Sequence, residues 1–307
     1  MSAAVSVDCP AKTNLTLHVG TKRADWAGRH ALDTIYCAIN VTDTVTVSAA
    51  PAGCGVSLRV SGEHLGDLRP DGDIRANHAV RALEALAQAS GHPADVAVHI
   101  TKHIPVAAGL GGGSADAAAT LLALNTLWGL HWSVDRLMPI AAGLGADMPF
   151  CLVGGYAQGT GFGERVTPIA EGSDTETALY RQGFAGMVLV GAYDAALSTP
   201  RVYAEFDRIG NGGDDPHCPR SDNDLQYAAI RLHPRSGLAV ELALAAGATH
   251  AFVSGSGPSV VAFVPSSGAA DAVTQAWRER QAADRIIRTS APAKPVMRIP
   301  ASVSDCR

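Results

Sequence analysis

The sequence predicts an α+β fold made of two lobes with a cleft between them. Three observations lead to this prediction: strand-like and helix-like periodicities are mixed along the chain, their pattern changes near residue 168, and a glycine-rich loop at 105–119 joins a strand to a helix. We therefore expect an N-terminal domain over residues 1–168 and a C-terminal domain over residues 169–307. A chain of 307 residues can bury a substantial core.

The elements of the N-terminal half follow from their periodicity. Apolar and polar residues alternate in three segments, which predicts strands, and Val80 and Leu83 share one face of an amphipathic helix. Ser114 and Ser133 stand where an N-cap is needed, so each is expected to cap a helix. The predicted elements are strands at 14–19, 43–49 and 96–103, helices at 76–90, 114–128 and 133–144, and a glycine-rich hairpin at 153–169.

The C-terminal half also mixes strands and helices. The stretch 210–224 is polar and rich in glycine and proline, so we expect a surface loop there. The other predicted elements are strands at 187–191, 249–254, 259–264 and 285–289, and helices at 224–232, 235–247 and 268–282.

Composition excludes several classes of protein. The net charge is −5 and there is no basic cluster, which argues against a nucleic-acid partner. No apolar run reaches the roughly 18 residues of a membrane span, and no signal peptide is evident at the N-terminus. The six cysteines are scattered without a Cys-x-x-Cys pair, which predicts reduced thiols in the cytoplasm. We expect a monomer or weak homodimer that acts on a small molecule.

The glycine-rich loop is the most informative segment of the chain. Four of the five residues at 109–113 are glycine, so no side chains block an approaching ligand, and backbone conformations closed to other residues are open. The alanine-rich helix that follows presents unpaired N–H groups and the positive end of its dipole to an anion. The loop therefore predicts a polyphosphate site.

Two common nucleotide motifs do not fit this loop. No lysine follows the last glycine, which excludes the P-loop of many NTPases. The glycine spacing, and the lack of an acidic residue about 20 positions further on after a strand, exclude the dinucleotide motif.

Four further residues carry only weak signals when each is taken alone. An isolated Lys12 is typical of a solvated surface charge, and an aspartate between glycine and proline, such as Asp147, is typical of a turn. His30 and Tyr203 are equally consistent with packing or surface positions.

Taken together and in order, four segments resemble the motifs of the GHMP small-molecule kinase superfamily. They are Pro-Ala-Lys-x-Asn-Leu at 10–15, the loop at 105–119, Gly-Ala-Asp-x-Pro-Phe at 145–150, and Ser-Gly-Ser-Gly-Pro at 254–258. The resemblance runs from about residue 8 to about residue 290. The first and third segments, with Asn-Asp-Leu at 223–225, are similar to the subfamily whose acceptor is a cytidine diphosphate-linked methylerythritol of isoprenoid biosynthesis.

The resemblance implies a fold, a reaction and a set of site residues. The N-terminal lobe would be similar to ribosomal protein S5 and bind ATP, and the C-terminal lobe would be a ferredoxin-like α/β sandwich, with the active site in the cleft. The reaction would be a Mg²⁺-dependent transfer of the γ-phosphoryl group of ATP to the 2-hydroxyl of the erythritol unit. Asp147 matches the catalytic base and Lys12 the catalytic lysine that orients it. The ATP site would comprise Pro105, Val106, Ala107, Ala108, Gly109, Leu110, Gly111, Gly112, Gly113, Ser114 and Ala115.

The resemblance also suggests residues for the adenine, the metal and the acceptor. Asn77 and Lys102 match positions that approach the adenine, although a helix-start asparagine and an exposed lysine are the alternatives. Ser114 is placed to meet a phosphate or Mg²⁺, and the metal ligands stay open. Asn14, His30 and Tyr203 match the substrate side, where Tyr203 would stack on cytosine.

The sequence departs from the subfamily just before His30. Arg29 stands where a tyrosine is expected, and Trp26-Ala27 is inserted before Gly28. Arginine can stack its guanidinium plane on a ring, so base binding is either kept by different means or lost. Two alternatives therefore stay open: another GHMP kinase, acting on homoserine, mevalonate or a sugar, and a non-catalytic nucleotide-binding relative. Retention of both Lys12 and Asp147 argues against the second.

Overall fold

The computed structural model describes residues 4–63, 65, 73–210, 219 and 221–298. Its strands are β1 (Ala4–Arg23), β2 (Arg29–Ala49), β3 (Val56–Gly62), β4 (Val96–Lys102), β5 (Tyr156–Thr160), β6 (Arg165–Pro168), β7 (Gly186–Ala192), β8 (His250–Val253), β9 (Val260–Phe263), β10 (Arg285–Ala291) and β11 (Val296–Arg298). Its helices are α1 (His78–Ser90), α2 (Gly112–Leu127), α3 (Val134–Leu144), α4 (Met148–Val153), α5 (Asp174–Arg181), α6 (Thr199–Ile209), α7 (Gln226–Leu232), α8 (Pro234–Ala245) and α9 (Ser267–Glu279).

The N-terminal lobe is built on a long hairpin of β1 and β2. The described part of its sheet has the order β11-β1-β2-β4-β3, and β5 and β6 extend it from the first half of β2. Among the described strand pairs of this sheet, β3 and β4 run parallel and the others are antiparallel. The pairing of β1 with β2 shifts register between Pro10 and Ala11, where proline supplies no backbone donor. The residues after this shift enter the cleft.

Helix α2 lies at the centre of the N-terminal lobe. It packs against β1, β2, α1 and α4, and its buried face is largely alanine, including Ala115 and Ala117 to Ala119. Small side chains let neighbouring backbones approach closely, and alanine has the highest helix propensity. Small side chains therefore allow α2 to be packed on several sides. The helix begins directly at the end of the glycine-rich loop.

The C-terminal lobe is a four-stranded antiparallel sheet in the order β10-β7-β9-β8. Helices α8 and α9 cover one face, where the Trp277 indole N–H donates to the Ala239 carbonyl at 2.8 Å. The other face contributes Val188, Val190 and Phe263 to the core of the N-terminal lobe. The order and connections are those of a ferredoxin-like lobe, which confirms the predicted two-lobed α+β fold.

The domain boundary at residue 168 stays a prediction. Residues 1–168 supply most of the first sheet and 169–307 supply the second. Strand β11, however, leaves the C-terminal lobe and pairs with Ser6 to Asp8 of β1. Strand β11 therefore links the C-terminal part of the chain to the sheet of the N-terminal lobe.

Most predicted elements are confirmed, and two predictions need correction. Helix α2 begins at Gly112, with Gly111 as its N-cap and no side-chain cap, so Ser114 does not cap it. Ser133, in contrast, caps α3 as expected. Most of the predicted surface loop at 210–224 lies outside the described residues, but near its end Asn223 is buried and donates to the Val253 and Gly255 carbonyls. No helix in the described part of the chain is long and apolar enough to cross a membrane.

Candidate active site

A cleft of about 1140 Å³ lies between the two lobes and is lined by residues of both. It brings together every residue predicted for the site except Leu110 and Ala115, whose side chains are buried in the core. The Leu110 backbone still contributes, because its carbonyl accepts a hydrogen bond from the Lys12 N–H at 2.9 Å. The structure therefore supports the predicted grouping, whereas the role of each residue stays a prediction.

The glycine-rich loop needs its glycines for two different reasons. Gly109 and Gly111 have φ values of 79° and 70°, in the left-handed region that favours glycine. A Cβ atom at Gly109 would also collide with the Ser254 carbonyl, and one at Gly113 would lie 2.5 Å from His78 Nδ1. The loop is thus pressed between the C-terminal lobe and α1.

The start of α2 leaves backbone donors available to a ligand. Because Gly111 has no side chain to cap the helix, the N–H groups of its first turn have no side-chain acceptor there. Gly112, Gly113 and Ser114 all line the cleft. Unpaired N–H groups at the positive end of a helix dipole form a site for phosphate.

Lys12 and Asp147 meet at the centre of the cleft. The Lys12 Nζ atom lies 3.2 Å from Asp147 Oδ2, and the side chains are 8% and 31% exposed. Asp147 precedes α4 but makes no capping bond, so its carboxylate is not used by the helix. The predicted pair is therefore in contact, with the aspartate as the more accessible partner.

Three further polar side chains hold this pair in place. Asn14 Oδ1 accepts from Lys12 Nζ at 3.0 Å, and the Asn14 amide donates to the Thr34 hydroxyl at 2.7 Å. The Tyr36 hydroxyl donates to Asp147 Oδ1 at 3.1 Å. Burial, and then the nearby Asp147 charge, raise the pKa of Tyr36 well above its ordinary value, so this hydroxyl keeps its proton and remains a donor.

Tyr36 and Thr34 are site residues that the sequence reasoning missed. Both lie on β2 among apolar and β-branched residues, where an aromatic or hydroxyl side chain is unremarkable. What would reveal these two residues is the register of β1 and β2, since their pairing sets Tyr36 opposite Asn14. That register depends on the shift after Pro10, which periodicity alone does not reveal.

Asn77 and Lys102 both line the cleft, and both have partners within the protein. Asn77 Oδ1 caps α1 by accepting from the Ala79 N–H at 2.9 Å. The Lys102 Nζ atom is not exposed: it forms ion pairs with Asp43 and with Asp116, the latter at 2.6 Å. Of the alternatives considered for these two residues, the helix-start asparagine is confirmed and the exposed lysine is wrong.

The far end of the cleft carries aromatic rings and a cluster of charges. The rings of His30 and Tyr203 stack with centroids 5.3 Å apart. His30 Nδ1–H donates to the Gly20 carbonyl at 2.8 Å, and its Nε2 lies 3.0 Å from Asp207 Oδ1. The Arg29 guanidinium lies over the Phe162 ring, 4.4 Å from its centroid. This end is suited to a planar, polar group.

Comparison with known proteins identifies the family. Residues 77–155 match the GHMP kinases N terminal domain, and residues 214–283 match the GHMP kinases C terminal domain. A 4-diphosphocytidyl-2-C-methyl-D-erythritol kinase of Bifidobacterium adolescentis is 61% identical over 97% of this chain and 95% of the relative. The chain belongs to the GHMP kinase family. A Streptomyces coelicolor kinase of the same name is 42% identical to this GHMP kinase, over 83% of the chain and 86% of the relative.

Solved structures agree with this GHMP kinase in fold. A crystal structure of a 4-(cytidine 5'-diphospho)-2C-methyl-D-erythritol kinase matches with a TM-score of 0.69 and 28% identity, covering 94% of this chain and 99% of that one. The homoserine kinase of Cytophaga hutchinsonii matches with a TM-score of 0.70 over 97% and 98% of the two chains. At 19% identity, the second match shows the shared fold alone.

Proposed function

We propose that this chain transfers the γ-phosphoryl group of ATP to the 2-hydroxyl of 4-diphosphocytidyl-2-C-methyl-D-erythritol, a step of the non-mevalonate route to isoprenoid precursors. The contact between Lys12 and Asp147 beside the glycine-rich loop is the observation that carries the proposal. A carboxylate and an ammonium beside this loop support the proposal, because phosphoryl transfer to an alcohol calls for a proton acceptor and for neutralisation of charge. The high identity to kinases of that name supports the choice of acceptor.

In the proposed reaction, Asp147 takes the proton from the acceptor hydroxyl as that oxygen attacks the γ-phosphorus, and the bond from the γ-phosphorus to the bridging oxygen breaks to release ADP. Lys12 favours the ionised carboxylate and offsets negative charge near the attacking oxygen. The Tyr36 hydroxyl fixes the other oxygen of Asp147. The N–H groups at the start of α2 hold the phosphates, so catalysis depends mainly on positioning and charge neutralisation.

The residues around this site fit a magnesium ion. Mg²⁺ prefers oxygen ligands, keeps several waters and is bound largely through substrate phosphates. The Ser114 hydroxyl at the start of α2 lines the cleft and is an oxygen donor of that kind. When bound there, the metal would neutralise charge on the phosphates.

We also propose that the enzyme acts in the cytoplasm, as a monomer or weak homodimer.

One observation favours a second candidate, a GHMP kinase with a different acceptor. Arg29 and Ala27, the latter from the inserted pair, line the cleft in the segment where the subfamily motif has a tyrosine. The His30 and Tyr203 stack, which is present, favours the cytidyl acceptor instead.

An ADP-release assay with a panel of acceptors separates the candidates. We expect turnover with the cytidyl compound and none with homoserine or mevalonate, and phosphorus NMR of the product should show a new phosphomonoester. Turnover with homoserine or mevalonate alone would support the second candidate. ADP binding without turnover of any acceptor would support a non-catalytic relative.

A further inference from the structure

Three buried charged side chains lie beneath the glycine-rich loop: Asp43, Lys102 and Asp116, which we call the loop clamp. Asp43 belongs to β2, Lys102 ends β4, and Asp116 lies near the start of α2; their exposed fractions are 0%, 2% and 5%. We infer that the loop clamp sets the shape of the phosphate-binding loop and that its members are positioning residues for the nucleotide. This inference rests on the nucleotide half of the proposed function.

The loop clamp joins the two ends of the loop. Lys102 Nζ donates to Asp116 Oδ2 at 2.6 Å and also to Asp43 Oδ2. Residues 102 and 116 stand on either side of the loop, so their ion pair closes residues 103–115 into a ring. Asp43 Oδ1 accepts from the N–H groups of His103 and Ile104, at 2.6 and 2.9 Å, and thereby fixes the first residues of that ring.

The loop rests directly on the clamp. A Cβ atom at Gly112 would lie 3.3 Å from Lys102 Nζ, so the first residue of α2 packs on the ammonium. The opposite side of the loop is held by the C-terminal lobe: the Ser254 hydroxyl donates to the Gly109 carbonyl at 3.1 Å, and the Ser259 N–H donates to the Ala108 carbonyl at 3.2 Å. With contacts on both sides, the shape of the loop depends on the clamp as one of its two supports.

Burying the three charges of the clamp carries a high desolvation free energy, which argues against a purely packing role. Two carboxylates share one ammonium, and Asp116 Oδ1 is buried with no hydrogen-bond partner among the described residues. Desolvation raises the pKa of Asp116 to about 7 although Lys102 opposes the shift. Well-packed apolar side chains would fill such a space at a lower free-energy cost. Perturbed charges of this kind beside a cleft are typical of functional sites.

The clamp differs from the adenine contact that the sequence suggested for Lys102. If the Lys102 ammonium contacted the nucleotide directly, Lys102→Met would weaken binding, whereas Asp116→Asn would free the ammonium and leave binding equal or tighter. If the clamp positions the loop, both substitutions weaken binding. The two variants therefore separate the roles.

The test measures ADP affinity by calorimetry, and the KM values for ATP and for the acceptor, in the full-length enzyme. We expect Asp116→Asn and Lys102→Met each to weaken ADP binding and to raise the KM for ATP by about 10-fold, with less than about 2-fold change in the acceptor KM. Lys102→Arg keeps the charge between the carboxylates and should restore most of the affinity. Thr120→Val is the matched control, because it removes another buried polar group of α2, a hydroxyl that donates to the Asp116 backbone carbonyl and contacts no clamp side chain among the described residues.

Unchanged ADP affinity in folded Asp116→Asn would overturn the inference, as would an equal loss of affinity in Thr120→Val. If Asp116→Asn does not fold, hydrogen exchange in the unmodified enzyme tests the inference instead. ADP should then slow exchange at the N–H groups of His103 and Ile104, and no change there would overturn the inference. ADP binding needs no acceptor, so intact ADP binding without turnover of the cytidyl compound would refute the proposed acceptor and leave the clamp standing.

Discussion

At the scale of single residues, the proposed chemistry depends on how the cleft orients Asp147. Lys12 and Tyr36 each contact one of its two oxygens, at 3.2 and 3.1 Å. Neither oxygen is used to cap α4. A carboxylate held in this way can accept a proton with little rearrangement, which is the requirement for a general base.

Asp147→Asn should lower kcat by about 10²–10⁴-fold, because it removes the proton acceptor and keeps the shape of the side chain. ADP affinity should change by less than about 2-fold, since the proposed partner of Asp147 is the acceptor hydroxyl, which is absent from the ADP complex. Steady-state kinetics and calorimetry provide the two readouts, and Asp174→Asn, on the exposed start of α5, is the control. A comparable loss of ADP binding would assign Asp147 to structure or to metal binding.

Arg29→Ala should raise the KM for the cytidyl acceptor by about 5- to 10-fold and weaken its dependence on salt. The guanidinium lines the cleft over Phe162, and among the described residues no carboxylate pairs with it, so its charge is available to the acceptor diphosphate. Kinetics at two ionic strengths measure both effects, with Arg59→Ala, at an exposed position of β3, as the control. An unchanged acceptor KM would show that Arg29 does not contact the acceptor.

At the scale of elements, the proposed phosphate site depends on how α2 begins. The sequence suggested Ser114 as the cap, since serine is a preferred N-cap residue. The helix instead begins at Gly112 after a glycine N-cap, so its free N–H groups start three residues earlier in the chain than a Ser114 cap would place them. The departure from the usual capping rule falls at a proposed ligand site, where such departures are expected.

Gly112→Val should weaken ADP binding, because its Cβ would lie 3.2 Å from Ile104 and 3.3 Å from Lys102 Nζ, and the branch would add atoms toward the phosphates. Calorimetry with ADP measures the loss. Gly143→Ala in α3 is the control: nothing lies within 4 Å of its Cβ, and it should be neutral or slightly stabilising. Unchanged ADP affinity in Gly112→Val would contradict the placement of the phosphates.

His78, at the start of α1, should make the fold less stable in mild acid. Burial, and then the charges of Arg81 and Lys102, lower its pKa below 6.5. The unfolded chain therefore binds this proton first, so stability is retained above about pH 6.5 and lost as pH falls through the folded pKa. Denaturant titrations at about pH 7.5 and about pH 5.5 should show a smaller loss in His78→Gln than in the unmodified protein. Equal losses in the two proteins would contradict this account.

At the scale of the whole molecule, the sequence predicted the fold and the grouping of the site residues. It did not predict the long-range hydrogen bonds that connect them. Strands, amphipathic helices and the glycine-rich loop have local signals, and the spacing of four motifs indicated the family. The contacts of Tyr36 with Asp147, and of Asp43 with the loop, join segments far apart in the chain. They depend on strand register and on burial, which local periodicity does not contain. The return of β11 to β1 was missed for the same reason.

The most direct test is a crystal structure with a non-hydrolysable ATP analogue and the cytidyl acceptor. We expect the triphosphate to lie along the N–H groups of residues 112–114, and the 2-hydroxyl to lie between the terminal phosphate and the Asp147 carboxylate, with Lys12 beside it. A triphosphate bound elsewhere in the cleft, out of reach of Lys12 and Asp147, would contradict the proposal that the glycine-rich loop holds the phosphates beside this pair.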